Sequence, residues 1–271
     1  MVEERAKRPQ EVWGLPSGFP EWDHLTGGFQ RGEVTIIGAR TGVGKSSLAG
    51  QLALQALQAR PDELVVLVSP EMSQEGLVVR LASCLSRVPS REILTGQAGP
   101  EARRRFIAAL ETLESFENRL ILWAGGKVKL VDLELRLTEL SQRRPIALVL
   151  IDYLNLIEAG GSSPYERATE VSRGVRAIAT SLNIPIVLFS QLSRPSDRSE
   201  EKAPTLFELR DSGNIEQDAD NVLLLWRPPL EEGNGRRSQV TVCHLAKQRN
   251  GPTGIFRLYF LEDVHRFESW K

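Results

Sequence analysis

The chain has 271 residues, close to the upper limit for one hydrophobic core, and its 41% apolar and 25% charged content excludes disordered, collagen-like and disulfide-scaffold classes. Lys and Arg (34) nearly balance Asp and Glu (35), so a net charge of −1 gives no whole-molecule attraction for nucleic acid, and any such contact has to come from local clustering. Cys84 and Cys243 stand far apart and outside any Cys/His cluster, which predicts two buried thiols, a reducing compartment and no structural zinc.

The opening residues, MVEERAKRPQEVW, are charged and lack a signal peptide's apolar region, and no later run approaches the length that spans a bilayer; a short arm over 1–13 and a cytoplasmic protein are expected. From residue 34 an alternation begins. Aliphatic runs at 34–37, 64–68, 120–123, 147–151, 186–189 and 222–225, apolar at nearly every position, predict strands buried on both faces. Between them, 45–59, 74–88, 101–116, 131–142 and 166–182 repeat apolar residues three and four apart, as amphipathic helices do. This order predicts an α/β fold with a mainly parallel sheet, right-handed crossovers, helices on both faces, and ligands at the carboxyl ends of the strands. The last quarter differs. Residues 239–246 and 254–260 are strand-like and joined by the turn signal KQRNGPT, which predicts a C-terminal β-hairpin extending the sheet. Residues 160–164 and 193 to about 206 are polar and aperiodic, and a loop of the second length in a compact domain is usually functional or disordered. The five tryptophans are expected in the core or at an interface rather than as base-stacking platforms.

The strongest chemical signal is TIIGARTGVGKSS, an apolar strand entering a Gly-rich turn and then a helix. Residues Ala39, Arg40, Thr41, Gly42, Val43, Gly44, Lys45, Ser46 and Ser47 form a phosphate loop in which backbone N–H groups wrap an anion, Lys45 reaches the β/γ-phosphates and the Ser46 hydroxyl ligates Mg²⁺. Ala39 stands where the general pattern has its first glycine. Asp152 closes the run ALVLI, the position from which a carboxylate helps hold the same cation. Its successor is Tyr153, so the base for an attacking water has to come from another strand end. Glu71, after LVVLVSP, supplies it, and Gln191, after IVLFS, places an amide at the same edge to contact and sense the γ-phosphate. Four strand ends converging in this way describe a hydrolytic NTP site.

The segments GLPSGFPEWDHLTGGFQRGEVTIIGARTGVGKSS, SPEM, VLIDYLNLI, IVLFSQLSR, LRDSGNIEQDAD and KQRNGPTG, in this order and spacing, resemble the RecA-like motor domain of DnaB-type replicative helicases, from about Gly14 to the end. The resemblance implies a RecA-like P-loop NTPase domain over 14–271 that uses ATP and Mg²⁺. It implies catalytic roles for Lys45, Glu71, Gln191 and Arg80, the last nine residues beyond Glu71 on the same predicted helix. Asp152 would join Ser46 at the metal. Family P-loops often carry alanine at the position of Ala39, whereas Thr41 and Pro70 depart from the usual proline and leucine. Lys247 and Arg249 are similar to a lysine and an arginine finger that enter the neighbouring subunit's site, and five basic residues with no acidic one lie between 236 and 257. Arg210, Asp211 and Gly213 match positions that grip single-stranded DNA, although residues 194–211 hold four basic against five acidic side chains. A homo-oligomeric ring, expected to be a hexamer moving 5′ to 3′ and meeting a primase or a helicase loader, goes with this reading. The alternative is a RecA-fold ATPase acting as a loader, recombination mediator or regulatory module without unwinding. Only thirteen residues precede the match, where helicases of this type carry a helical collar domain and a linker helix.

Overall fold

Parallel strands carry the carboxyl edge of the sheet on which the predicted chemistry depends. The computed structural model describes residues 12–192, 203–210, 215–228 and 239–270. The strands are β1 (Val34–Ala39), β2 (Leu64–Ser69), β3 (Leu120–Ala124), β5 (Ile146–Ile151), β7 (Ile186–Gln191) and β8 (Asn221–Trp226), with a two-residue β4 (Val128–Lys129) that pairs with β6 (Ile157–Glu158) in a separate small sheet. β9 (Val240–Gln248), β10 (Gly254–Leu261) and β11 (Arg266–Ser269) join them in a sheet that, among the described residues, has nine strands in the order 11-10-9-8-1-7-5-2-3. β8, β1, β7, β5, β2 and β3 are parallel, whereas β9, β10 and β11 are antiparallel additions.

Alternation along each strand splits the core into two layers. Ile37, Val65, Leu67, Leu148, Leu150, Val187 and Phe189 face helices α2 (Lys45–Ala59), α3 (Gln74–Ser86) and α5 (Pro100–Glu114). Ile36, Val66, Val149, Ile151 and Leu188 face α6 (Leu130–Arg143) and α7 (Pro164–Leu182) on the other side. Both faces are covered, which is why these strands read as continuous aliphatic runs. Local chemistry sets the helix ends: Ser73 caps α3 by accepting from the Gly76 N–H, and Ser163 and Glu166 form a capping box around Pro164 at the start of α7. On α6, Leu133, Leu137 and Leu140 are buried while Val131 and Leu135 remain exposed.

Several expectations change. β3 is half-buried along its length because it is the sheet's edge strand, not a strand covered on both faces. The hairpin has a third strand, β11, and β9 runs on through Lys247 and Gln248 into what reads as a turn. Short helices α1 (Pro20–Thr26), α4 (Ser90–Leu94), α8 (Phe207–Arg210) and α9 (Ile215–Asp218) carry too few residues for a periodic signal. Both cysteines are buried, as expected. Trp22 is in the core, but Trp270 is 39% exposed and stacks on Tyr259. Most of the predicted arm (1–11) and of the predicted loop (193–202) lies outside the described residues. Among the described residues no helix is long and apolar enough to cross a membrane.

Candidate active site

The P-loop forms where β1 must turn into α2 around a space no side chain fills. Gly42 and Gly44 take φ of 78° and 111°, the half of backbone space that favours glycine. A Cβ at Gly44 would stand 2.8 Å from Phe267 Cζ and 3.0 Å from the Phe260 ring, so the loop is backed by an aromatic wall. Phe260 and Phe267 stack at 4.4 Å, and the Gln51 amide holds the Phe267 backbone from both sides, donating to its carbonyl at 2.8 Å and accepting from its N–H at 2.7 Å. Val43 packs into the core beneath, and the first turn of α2 has no acidic residue, leaving its N–H groups open to an anion.

The predicted strand ends meet above this loop. Glu71, Arg80, Asp152 and Gln191 line one cleft of about 300 Å³ together with Lys45 and Ser46. Glu71 lies in the turn after β2, two residues before the Ser73 cap, so it does not share a helix with Arg80; Arg80 alone is on α3. Asp152 follows β5 directly and is 5% exposed, its N–H donating to the Val68 carbonyl at 2.8 Å. Gln191 ends β7 beside Ala39. The Lys45 ammonium donates to the carbonyls of Ala39 (2.8 Å) and Arg40 (3.2 Å).

Burial dominates the electrostatics. It pulls Lys45 down to about 8, against the attraction of Asp152 and Glu71. It lifts Asp152 above the usual carboxylate range, although the Ser46 hydroxyl donates to it and Lys45 and Arg80 attract it. It also lowers Arg80, again against Asp152 and Glu71. Cations and carboxylate are thus kept poorly solvated and close together, the condition in which an incoming charged ligand is felt most strongly. Ser46 and Asp152 form a hydroxyl–carboxylate pair of hard oxygens that fits Mg²⁺, an ion that keeps most of its positions for water and phosphate. No cluster of three His, Cys, Asp or Glu suited to a metal occurs among the described residues.

Three contributors were not foreseen. Glu262 and His265 line the cleft, and Arg227, buried at the end of β8, donates to the Gly42 carbonyl at 3.3 Å, pairs with Glu262 at 3.2 Å and lies over the Phe260 ring. His265 is 3.0 Å from the Ser90 hydroxyl, and burial holds it down to about 4. Strand parity is the signal that would have found Glu262 and His265: β9 and β10 each reverse direction, so the residues after β10 return to the carboxyl edge, whereas Arg227 directly follows the parallel strand β8.

Other predicted residues are placed elsewhere. The Arg40 side chain grips Glu208 on α8 at 3.0 and 3.2 Å while its backbone belongs to the P-loop. Lys247 and Arg249 sit at the amino edge of the sheet, because Gln248 pairs with Asn221, the first residue of β8. The five steps of β1 separate that edge from the P-loop by roughly 17 Å. There the Lys247 ammonium donates to the Glu216 carbonyl at 2.6 Å and Arg249 pairs with Asp220 at 3.2 Å. Arg210 ends α8, and Asp211 and Gly213 lie outside the described residues.

The family model described as DnaB-like helicase C-terminal domain matches residues 14–269. The chain is 32% identical over 269 residues to the replicative DNA helicase DnaB of Geobacillus stearothermophilus and to the replicative DNA helicase DnaC of Bacillus subtilis, covering 98% of this chain in each case. It spans 59% of the length of those two relatives. Among solved structures, an ATPase domain superposes with a TM-score of 0.90 at 26% identity, covering 100% of this chain and 96% of that one. A DnaB-like replicative helicase studied with its primase interactions superposes at 0.88 and 26% identity, covering 100% of this chain and 65% of that one.

Proposed function

This chain belongs to the family of DnaB-like helicase C-terminal domains, and on that premise we propose that it is an ATP-driven motor that moves along single-stranded DNA and unwinds duplex as a ring, of six subunits by resemblance. The observation that carries the reading is the convergence of Lys45, Ser46, Glu71, Asp152 and Gln191 from four strand ends on one cleft. Backbone N–H groups of 42–47 and the amino end of α2 receive the phosphates. Lys45 exchanges its contacts with the Ala39 and Arg40 carbonyls for β/γ-phosphate oxygens, which restores the charge that burial opposes. Ser46 and Asp152 would hold Mg²⁺, which when bound offsets negative charge on the β- and γ-phosphates. Glu71 accepts the proton of the attacking water, Gln191 donates to the γ-phosphate and registers its loss, and Arg80 adds a fixed positive field from α3.

In this reading a neighbour's Lys247 and Arg249 complete the charge at the transition state, since the chain's own pair is at the far edge of the sheet. Arg210, Asp211 and Gly213 are assigned to DNA phosphates; contacts that are weak in one subunit become strong when repeated around a pore. A cytoplasmic location and a primase or loader as further partner go with the same proposal.

DNA-stimulated ATP turnover tests it. Lys45→Ala and Glu71→Gln are expected to lose at least about 100-fold, and Arg249→Ala is expected to lose stimulated turnover while still binding nucleotide. Full turnover in Arg249→Ala, or a strict monomer by sizing with ATP and DNA, would overturn the ring in favour of a loader or regulatory ATPase.

A further inference from the structure

The acidic segment 215–220 is not used by the mechanism above, yet it holds both residues assigned to the neighbour's site. Asp220 is 2% exposed, between α9 and β8. Its backbone is built into the sheet edge, with its N–H donating to the Val34 carbonyl at 2.9 Å. Its Oδ2 accepts from the Val34 N–H at 2.9 Å and from Arg176 of α7, leaving Oδ1 to face Arg249 at 3.2 Å. The Arg249 N–H also donates to the Asp220 carbonyl at 2.8 Å, so this arginine is held at backbone and side chain by one residue. The Lys247 ammonium is tied to the Glu216 carbonyl on α9, and Asp218 of the same helix accepts from Ser172 of α7 at 2.8 Å.

From this arrangement we propose that Asp220 is a positioning residue for Arg249: it orients the guanidinium for delivery to the adjacent subunit's cleft. The inference rests on the ring reading above. Two features fit delivery rather than a static bridge. The Arg249 side chain is 47% exposed although its partner is buried, so the guanidinium is anchored and still presented outward. Asp220 also has a second cation, Arg176, so when Arg249 moves to a phosphate the buried carboxylate keeps a counter-charge, and the large penalty of an orphaned buried ion does not arise. An unanchored arginine would have to lose its rotamer freedom at the moment of contact; one held at two points has already lost much of it.

Mixed rings of the full chain separate this proposal from a structural role and from failure of the ring reading. Lys45→Ala subunits have no turnover of their own but offer Arg249; Arg249→Ala subunits have an intact cleft and lack the finger. Mixing the two is expected to restore ATP turnover, and if it does not, the trans reading fails and this inference with it. Once it does, Asp220→Asn, which keeps an acceptor for the Val34 N–H, is placed in one partner at a time. In the Lys45→Ala donor it is expected to lower the restored turnover about 10-fold, or ~1.4 kcal/mol, without changing the KM for ATP; in the Arg249→Ala receiver it is expected to leave turnover unchanged. Equal loss from both placements, or loss from neither, overturns the proposal. If Asp220→Asn does not fold, Asp220→Glu keeps the charge while shifting its oxygens by one methylene, and the same dependence on the donor is expected.

Discussion

Gly44→Ala probes the coupling between the P-loop and the C-terminal strands. At φ 111° and ψ 23° the backbone lies outside the regions open to a residue with a Cβ, a strain of about 1–3 kcal/mol. The added methyl would also meet Phe267 Cζ at 2.8 Å and the Phe260 ring at 3.0 Å, both below ordinary contact, and overpacking of this kind costs about 1–3 kcal/mol. Neither ring can retreat easily, since the two stack on each other and Gln51 fixes the Phe267 backbone at both its polar groups. The loop must therefore move, and the expected loss of stability is about 2–6 kcal/mol. Urea unfolding reads it: the midpoint falls with little change in slope, and ATP affinity falls with it. Phe267→Leu in the same chain opens space for the methyl but leaves the φ strain, so the double mutant should recover about 1–2 kcal/mol relative to the sum of the single changes. A loss below about 1 kcal/mol, or a loss independent of Phe267, would refute the aromatic wall as the support of the loop.

Gln51→Leu keeps the volume of the side chain but strands the Phe267 N–H and carbonyl in the core, and is expected to cost about 2–4 kcal/mol; a change within about 0.5 kcal/mol would mean that water replaces the amide. His265, held at about 4 by burial with Arg80 nearby and Glu262 and Asp263 opposing, gives an acid-side signature. The unfolded chain takes up a proton near pH 6.5 that the folded one refuses until about pH 4, so stability falls as pH drops through that window. The loss is about 1–2 kcal/mol once partial exposure is allowed for. Asn tolerates the left-handed backbone at this position (φ 53°), so His265→Asn should flatten the acid limb of the stability profile, and an unchanged limb would refute the assignment.

What could be read from the sequence follows from how far each signal reaches along the chain. The P-loop and the strand-end residues Glu71, Asp152 and Gln191 are legible because a strand, its terminal residue and the following turn are contiguous, and a parallel sheet places every such end on one edge. Glu262 and His265 are not, because their place depends on counting reversals through β9 and β10, whereas Arg227 directly follows the parallel strand β8 and is open to the same strand-end reading. The Arg40 side chain is hidden for another reason: its partner, Glu208, is 168 residues away. Edge position also escapes local reading, since β3 is as aliphatic as its neighbours and only the strand order exposes it. The charge balance of 194–211 is uninformative because Glu208, one of its acids, is committed to Arg40.

Under the proposed ring reading, the same reversals would make one copy of this chain a poor catalyst. β8 runs parallel to β1, so β9 must descend and deliver its last residues at the amino edge, while β10 ascends and delivers Glu262 and His265 to the cleft. A β-hairpin cannot present its turn and its far end on the same edge, and roughly 17 Å of sheet separates the Lys247 and Arg249 backbone from the P-loop. No rotamer of either side chain spans that gap. The cleft therefore gathers Glu71, the Ser46–Asp152 pair and the cations Lys45 and Arg80, yet excludes by topology the chain's own Lys247 and Arg249. In the proposed ring, that exclusion makes subunit contact a condition of turnover, and hydrolysis by a dispersed subunit is suppressed without a separate inhibitory element.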